Sequence, residues 1–264
     1  MKRKISLTTI LADKTSGSSE IVIMLNNYFF HHHNDPAKIK KELPKVKETF
    51  SGFAIVKSYI KVLEELIDKD NRIDPNLFLG FTSEIIETSF KKIFMNAEDY
   101  ISKFNTILTL SNSRTLLQVF SIWRKKNKKL KIIVCESRPK KEGIILAKKL
   151  AHAGIKTELI CDALMSQYIK TSDAVIVGAD AVLKNGNVIN KTGSRNAAII
   201  CKYYKKPFIV FAGVDKFTDE KSFSPTTENT EEILKGQIKN LAVNNFYFEE
   251  IEKKLVTKCF SNKK

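Results

Sequence analysis

NTILTLSNSRTLLQVFSIWRKKNKKLKIIVC, residues 105–135, is the stretch whose reading decides the fold. An apolar, β-branched run at 106–110 ends in the polar triplet Ser111-Asn112-Ser113. Apolar residues then recur at helical spacing over 115–126, and a second apolar run occupies 131–135. A strand, a helix and a strand in that order form a parallel pair, because only a crossover of this length returns the chain to the same end of a sheet.

The rhythm continues downstream. Strands are expected at 156–161, 174–177 and 207–211, and helices at 143–153, 163–170 and 194–204. Such uniformly apolar strands are shielded on both faces, which predicts an α/β, Rossmann-like parallel sheet covered by helices on both sides. Upstream of residue 104 the pattern is helical throughout. Ser18-Ser19-Glu20 opens one helix and Pro36 the next. Phe53, Ile55, Val56, Tyr59, Ile60, Val62, Leu63 and Leu66 mark a third, and 68–74 breaks the pattern. A helix over 82–101 then aligns Ile85, Ile86, Phe90, Ile93 and Phe94. The chain is expected to divide into an N-terminal helical domain, 1–103, and a sheet domain with a ligand crevice, 104–264.

With 43% hydrophobic and 28% charged residues the chain is globular rather than disordered. Its 45 Lys+Arg against 29 Asp+Glu give a net charge of +16. Arginine is scarce, at Arg3, Arg72, Arg114, Arg124, Arg138 and Arg195, so sequence-specific base readout by bidentate forks is disfavoured. The densest basic run, 124–131, has one aromatic neighbour, Trp123, and reads as a solvated helix end; non-specific RNA contact is the minor reading. Cys135, Cys161, Cys201 and Cys259 show no zinc or disulfide spacing, and His31-His32-His33 suits a helix end, so no metal and no cofactor are expected. Met1-Lys2-Arg3-Lys4 imitates a secretion leader, but the following apolar stretch is interrupted by Ser6, Thr8 and Thr9. A cytoplasmic protein with no membrane contact is expected.

Polar residues gather where the expected strands end: Ser111-Asn112-Ser113, Glu136-Ser137-Arg138, Asp162, Gly178-Ala179-Asp180 and Lys216. Loops at the carboxyl ends of one parallel sheet converge, so these residues are expected to share a crevice. Asn185-Gly186 marks a two-residue hairpin directly after Asp180. It leads into Asn190-Lys191-Thr192-Gly193-Ser194, a turn opening a helix, where backbone amides and an adjacent lysine suit a phosphate. Arg138 is expected close to that anion.

The order of these pieces is that of a known family. ILTLSNS at 107–113, CESRP at 135–139 with Gly143, IVGADA at 176–181 followed by Asn185-Gly186, and INKTG at 189–193 resemble the alpha, beta and delta regulatory subunits of translation initiation factor 2B. The same family includes isomerases of ribose-1,5-bisphosphate and of methylthioribose-1-phosphate. Asp13-Lys14-Thr15-Ser16-Gly17 is similar to a weaker N-terminal element. The resemblance implies a homodimer or higher oligomer. It also implies that Asn112, Ser113, Glu136, Arg138, Asp180, Asn190, Lys191 and Lys216 line a site for a sugar phosphate or nucleotide.

In the isomerases a loop cysteine and the aspartate of the GAD segment handle protons. Asp180 matches the aspartate, but Ser111 stands where the cysteine would be. A serine hydroxyl does not ionise near neutrality as a thiol can. The resemblance therefore implies a regulatory-subunit-like protein that binds a sugar phosphate or nucleotide and contacts an initiation factor. The alternative is an aldose–ketose isomerase in which Asp180, with Ser111 or a thiol at Cys135 or Cys161, does the chemistry.

Overall fold

The computed structural model describes residues 5–70, 78 and 83–263. Residues 1–4, most of the expected break at 68–74, the expected helix start at Thr82, and the side chains of Ile85 and Ile86 lie outside the described residues. Four helices come first: α1 (Leu7–Leu11), α2 (Ser18–Phe30), α3 (Pro36–Thr49) and α4 (Ala54–Asp70). Ser6 caps α1 by accepting the Thr9 amide, and Asp35 caps α3 by accepting the Lys38 amide with Pro36 at its first position. Their apolar faces meet in one core built on Ile21, Leu25, Phe29, Ile39, Leu43 and Tyr59. Ile67, not Leu66, takes the inward position near the end of α4.

The next elements alternate: α5 (Ser83–Ile101), β1 (Thr106–Thr109), α6 (Arg114–Lys126), β2 (Lys131–Cys135), α7 (Glu142–His152), β3 (Lys156–Ile160), α8 (Met165–Thr171) and β4 (Ala174–Val177). The hairpin β5 (Ala181–Val182) and β6 (Val188–Lys191) interrupts them before α9 (Ser194–Tyr203) and β7 (Phe208–Phe211). Two late strands follow, β8 (Phe248–Ile251) and β9 (Lys258–Phe260).

The main sheet is parallel, in the order β3-β2-β1-β4-β7-β9. Helices α5, α6 and α7 bury Phe94, Phe120, Trp123 and Leu146 against one face; α8 and α9 bury Ile169 and Ala198 against the other. Thus α5, which precedes residue 104, packs on the sheet. Trp123 is 2% exposed and belongs to the core. No described helix is long and apolar enough to cross a membrane.

The sheet extends beyond the last expected strand. Residues 207–211 are not the last strand, because β9 pairs with β7 at Ile209–Lys258 and Phe211–Phe260. The aromatic stretch 246–251 also joins the fold, although Phe246 stays 38% exposed. β8 adds to the hairpin as the outer strand of an antiparallel sheet, β5-β6-β8. Ile251 is fully buried, Tyr247 is 9% exposed, and Phe248 packs edge-on against Phe53. Glu249 and Glu250 hide this strand from a reading of hydrophobic alternation.

Gly143 fixes the loop after β2. A Cβ at this residue would lie 1.9 Å from the Cys135 carbonyl oxygen, a backbone atom that cannot swing aside. Gly143→Ala should therefore destabilise the protein by roughly 1 to 3 kcal/mol or more, read as a lower urea midpoint at unchanged slope. An unchanged midpoint would show that α7 can shift freely on the sheet.

Candidate functional site

The strand order reverses at β1: β2 and β3 lie on one side of it, β4 and β7 on the other. The carboxyl ends of β1 and β4 therefore diverge around an opening where a parallel sheet accepts ligands. A cavity of about 320 Å³ occupies this place. Its floor comes from residues 110–115 and 178–180, its sides from Glu142, Asn190, Lys191 and Lys216, and its roof from residues 13–19 and 49–53. Phe223, Thr226 and Glu228 close it from the long loop after β7.

Seven expected site residues, Ser111, Asn112, Ser113, Asp180, Asn190, Lys191 and Lys216, line this cavity. Glu136 and Arg138 do not. Glu136 lies 3.9 Å from Lys141, and Arg138 is exposed. The amides of Ser137 and Arg138 bind the carboxylate of Asp162, which holds the loop after β2 and turns Arg138 away from the cavity.

The expected phosphate cradle at the start of α9 is also corrected. The Gly193 amide donates to Glu249 Oε1 at 2.7 Å and the Arg195 amide to the same oxygen at 2.8 Å, while the Thr192 amide donates to the Tyr247 carbonyl. The chain thus supplies its own anion to this helix N-terminus. Asn190 faces inward but donates to Ser194 Oγ at 2.9 Å.

Two buried charge systems dominate the cavity. In the first, Lys216 Nζ donates to Ser18 Oγ, and Ser18 Oγ donates to Asp180 Oδ1 at 3.4 Å. Burial pushes the Asp180 carboxyl up to about 6; Lys216, the Ser18 hydrogen bond and Lys191 oppose the shift. Burial likewise pulls the Lys216 ammonium down, against the pull of Asp215 and Asp180. In the second, Lys191 Nζ pairs with Glu142 Oε1 at 2.8 Å and sits 4.8 Å from the Tyr247 ring centroid. Glu142 Oε1 also accepts from Ser111 Oγ at 3.3 Å, and the buried Oε2 finds no hydrogen-bond partner among the described residues.

Ser111 has φ 66, in the left-handed region, and its amide donates to Ser137 Oγ at 2.7 Å. This backbone turns its side chain to the cavity instead of continuing the strand. The alternative thiols are elsewhere. Cys135 is buried, with burial raising its thiol to about 12, and neither it nor Cys161 lines the cavity. His31, His32 and His33 each place Nδ1 on a backbone carbonyl at the end of α2.

Ser18, Glu142 and Tyr247 escaped the sequence reading. Ser18 looked like an ordinary helix opener, and Glu142 like an acid in a first helical turn. The one available signal for Glu142 was its place directly before Gly143. Thr15 belongs here too, its carbonyl accepting Asn112 Nδ2 at 3.0 Å and drawing the 13–17 loop over the cavity.

Residues 78–263 match the initiation factor 2 subunit family. Among curated relatives, a ribose 1,5-bisphosphate isomerase of Archaeoglobus fulgidus is 36% identical over 138 residues, 52% of this chain and 44% of that protein. Translation initiation factor eIF2B subunit alpha of Dictyostelium discoideum is 39% identical over 150 residues, 57% of this chain and 46% of that protein. The chain thus spans about half the length of the curated relatives it matches. The solved translation initiation factor eIF-2B of Pyrococcus horikoshii OT3 superposes with a TM-score of 0.84 at 24% identity, covering 97% of this chain and 93% of that one.

Proposed function

The chain belongs to the initiation factor 2 subunit family, and from that premise we propose a regulatory-subunit-like member that binds a phosphorylated sugar or nucleotide without isomerising it. Contact with an initiation factor, self-assembly and a cytoplasmic setting are parts of the same reading. The observation that carries it is Ser111. The cavity has buried cations for an anionic ligand, Lys191 and Lys216, and a carboxyl poised for proton exchange, Asp180. At the remaining position it offers a hydroxyl where isomerisation calls for a group that ionises more readily.

The geometry supports anion binding in a second way. α2 begins at the cavity roof, and its N-cap, Gly17, provides no side-chain acceptor for the first amides. A phosphate there satisfies groups that would otherwise need water.

Aldose–ketose isomerisation is the second reading, favoured by the Asp180 carboxyl at about 6, which exchanges protons readily near neutrality. A thermal-shift series with ribose 1,5-bisphosphate, methylthioribose-1-phosphate and adenosine monophosphate tests both. A ligand at a hundred times its Kd stabilises the native state by about 2.7 kcal/mol. Each hit is then assayed for turnover. Binding without turnover supports the regulatory reading, turnover supports the isomerase, and no shift with any anion removes both. Arg138→Ala serves as the control and should leave the shift unchanged, since Arg138 lies outside the cavity lining.

A further inference from the structure

The end of the sheet opposite the cavity carries a different chemistry. All strands of the main sheet run parallel, so the segments that enter them lie together at that end. Each entry is marked by exposed lysine: Lys128 and Lys129 before β2, Lys156 at the start of β3, Lys170 before β4, Lys205 before β7 and Lys258 at the start of β9. Lys103, before β1, rests over the rings of Tyr100 and Phe104.

Most carboxylates at this end are already engaged. Lys126 holds Glu98, Lys131 and Tyr168 hold Glu158, and the amides of Asn105 and Thr106 bind Asp173. Asp99 remains exposed. Cations complement helix C-termini, which accounts for lysines such as Lys170 in a last turn. That account does not reach Lys128, Lys129, Lys156, Lys205 or Lys258, which lie beyond the helices.

We propose that this lysine-bearing end of the sheet is a docking surface for the phosphodiester backbone of a nucleic-acid duplex, a function beyond ligand binding in the cavity. Protein interfaces are depleted in lysine and centre on apolar anchors, whereas the exposed charges of these entry segments are mostly ammonium groups, set among small polar residues such as Ser102, Asn105 and Thr171. A membrane surface calls for an inserting apolar element beside the charge. Among the described residues, the large aromatic side chain bared near these loops is Tyr203, 79% exposed beside Lys202 and Lys205. One aromatic provides no ladder for successive bases, which favours a duplex over a single strand. Ammonium point charges rather than guanidinium forks make the contact independent of sequence.

The test uses the full chain and labelled 20-base-pair duplexes of RNA and of DNA, with binding followed by fluorescence anisotropy from 50 to 200 mM salt. Five phosphate contacts give a log–log slope near −4.5, a loss of roughly 500-fold across that range. A variant with Lys128, Lys129, Lys156, Lys205 and Lys258 all changed to Gln should bind at least roughly tenfold more weakly at 100 mM salt, with a shallower slope. A control with Lys41, Lys45, Lys91, Lys92 and Lys184 changed to Gln carries the same net charge and should bind like the wild type. Duplex binding that the first variant weakens and the control spares supports the proposal, and no binding to either duplex overturns it. Equal losses in the two variants overturn it, as does tighter binding to anionic vesicles or to polyglutamate than to both duplexes.

Discussion

Ser111→Cys is expected to raise isomerisation of ribose 1,5-bisphosphate by roughly 10² to 10⁴ over the wild type, the range of one general acid–base group. The side chain at this position already lines the cavity, turned there by a backbone at φ 66 that the substitution leaves in place. The gain should vanish when Asp180→Asn is added, because the thiol then lacks its partner. With Asp180 as base, the variant's rate should fall as pH drops through about 6, where the carboxyl takes up its proton. Single-turnover assays of the wild type, the single and the double variant give all of these comparisons. Robust turnover by the wild type, untouched by Ser111→Ala, would overturn the regulatory reading.

Lys191→Met should cost about 3 to 5 kcal/mol of stability, the penalty for leaving a buried charge without its partner. Lys191 is 3% exposed and Glu142 6%, and the pair closes at 2.8 Å. Adding Glu142→Gln should restore most of the loss, because the remaining groups are neutral and of similar volume. Urea unfolding of the wild type and the three variants measures the coupling. A double variant no more stable than Lys191→Met would mean that Lys191 acts through the Tyr247 ring instead. The same substitution should weaken ligand binding, but the stability deficit has to be measured first to separate the two effects.

The centre of the sheet was legible because β1, β2, β4 and β7 are buried on both faces. Ile107, Leu108, Ile132, Ile133, Val175 and Ile176 leave no polar alternation to confuse the period. Once those strands are placed, topology alone brings Ser111 and Asp180 to one opening, since the loops that follow β1 and β4 emerge side by side. What escaped depends on single side chains reaching across long stretches of sequence. Nothing near Gly193 announces that Glu249 will occupy its amide, and nothing near Arg138 shows that Asp162 will hold the loop that carries it. β9 escaped for another reason: Lys258, Cys259 and Phe260 are too few to show a period, and their pairing with β7 is a property of the open sheet edge.

The carboxylate of Glu249 at the start of α9 also bears on how the chain acquires its shape during synthesis. α9 is made with its first amides open, and the group that closes them is translated 56 residues later. Arg195 waits 57 residues for Glu252, and β7 gains its outer neighbour only with Lys258. Pairings so distant in sequence slow the search for the native state and leave a bare strand edge in the interval. A nascent chain halted before Glu249 should therefore hold the first sheet strands in place while α9 stays loosely attached, an intermediate for chaperones to shield until both late strands arrive.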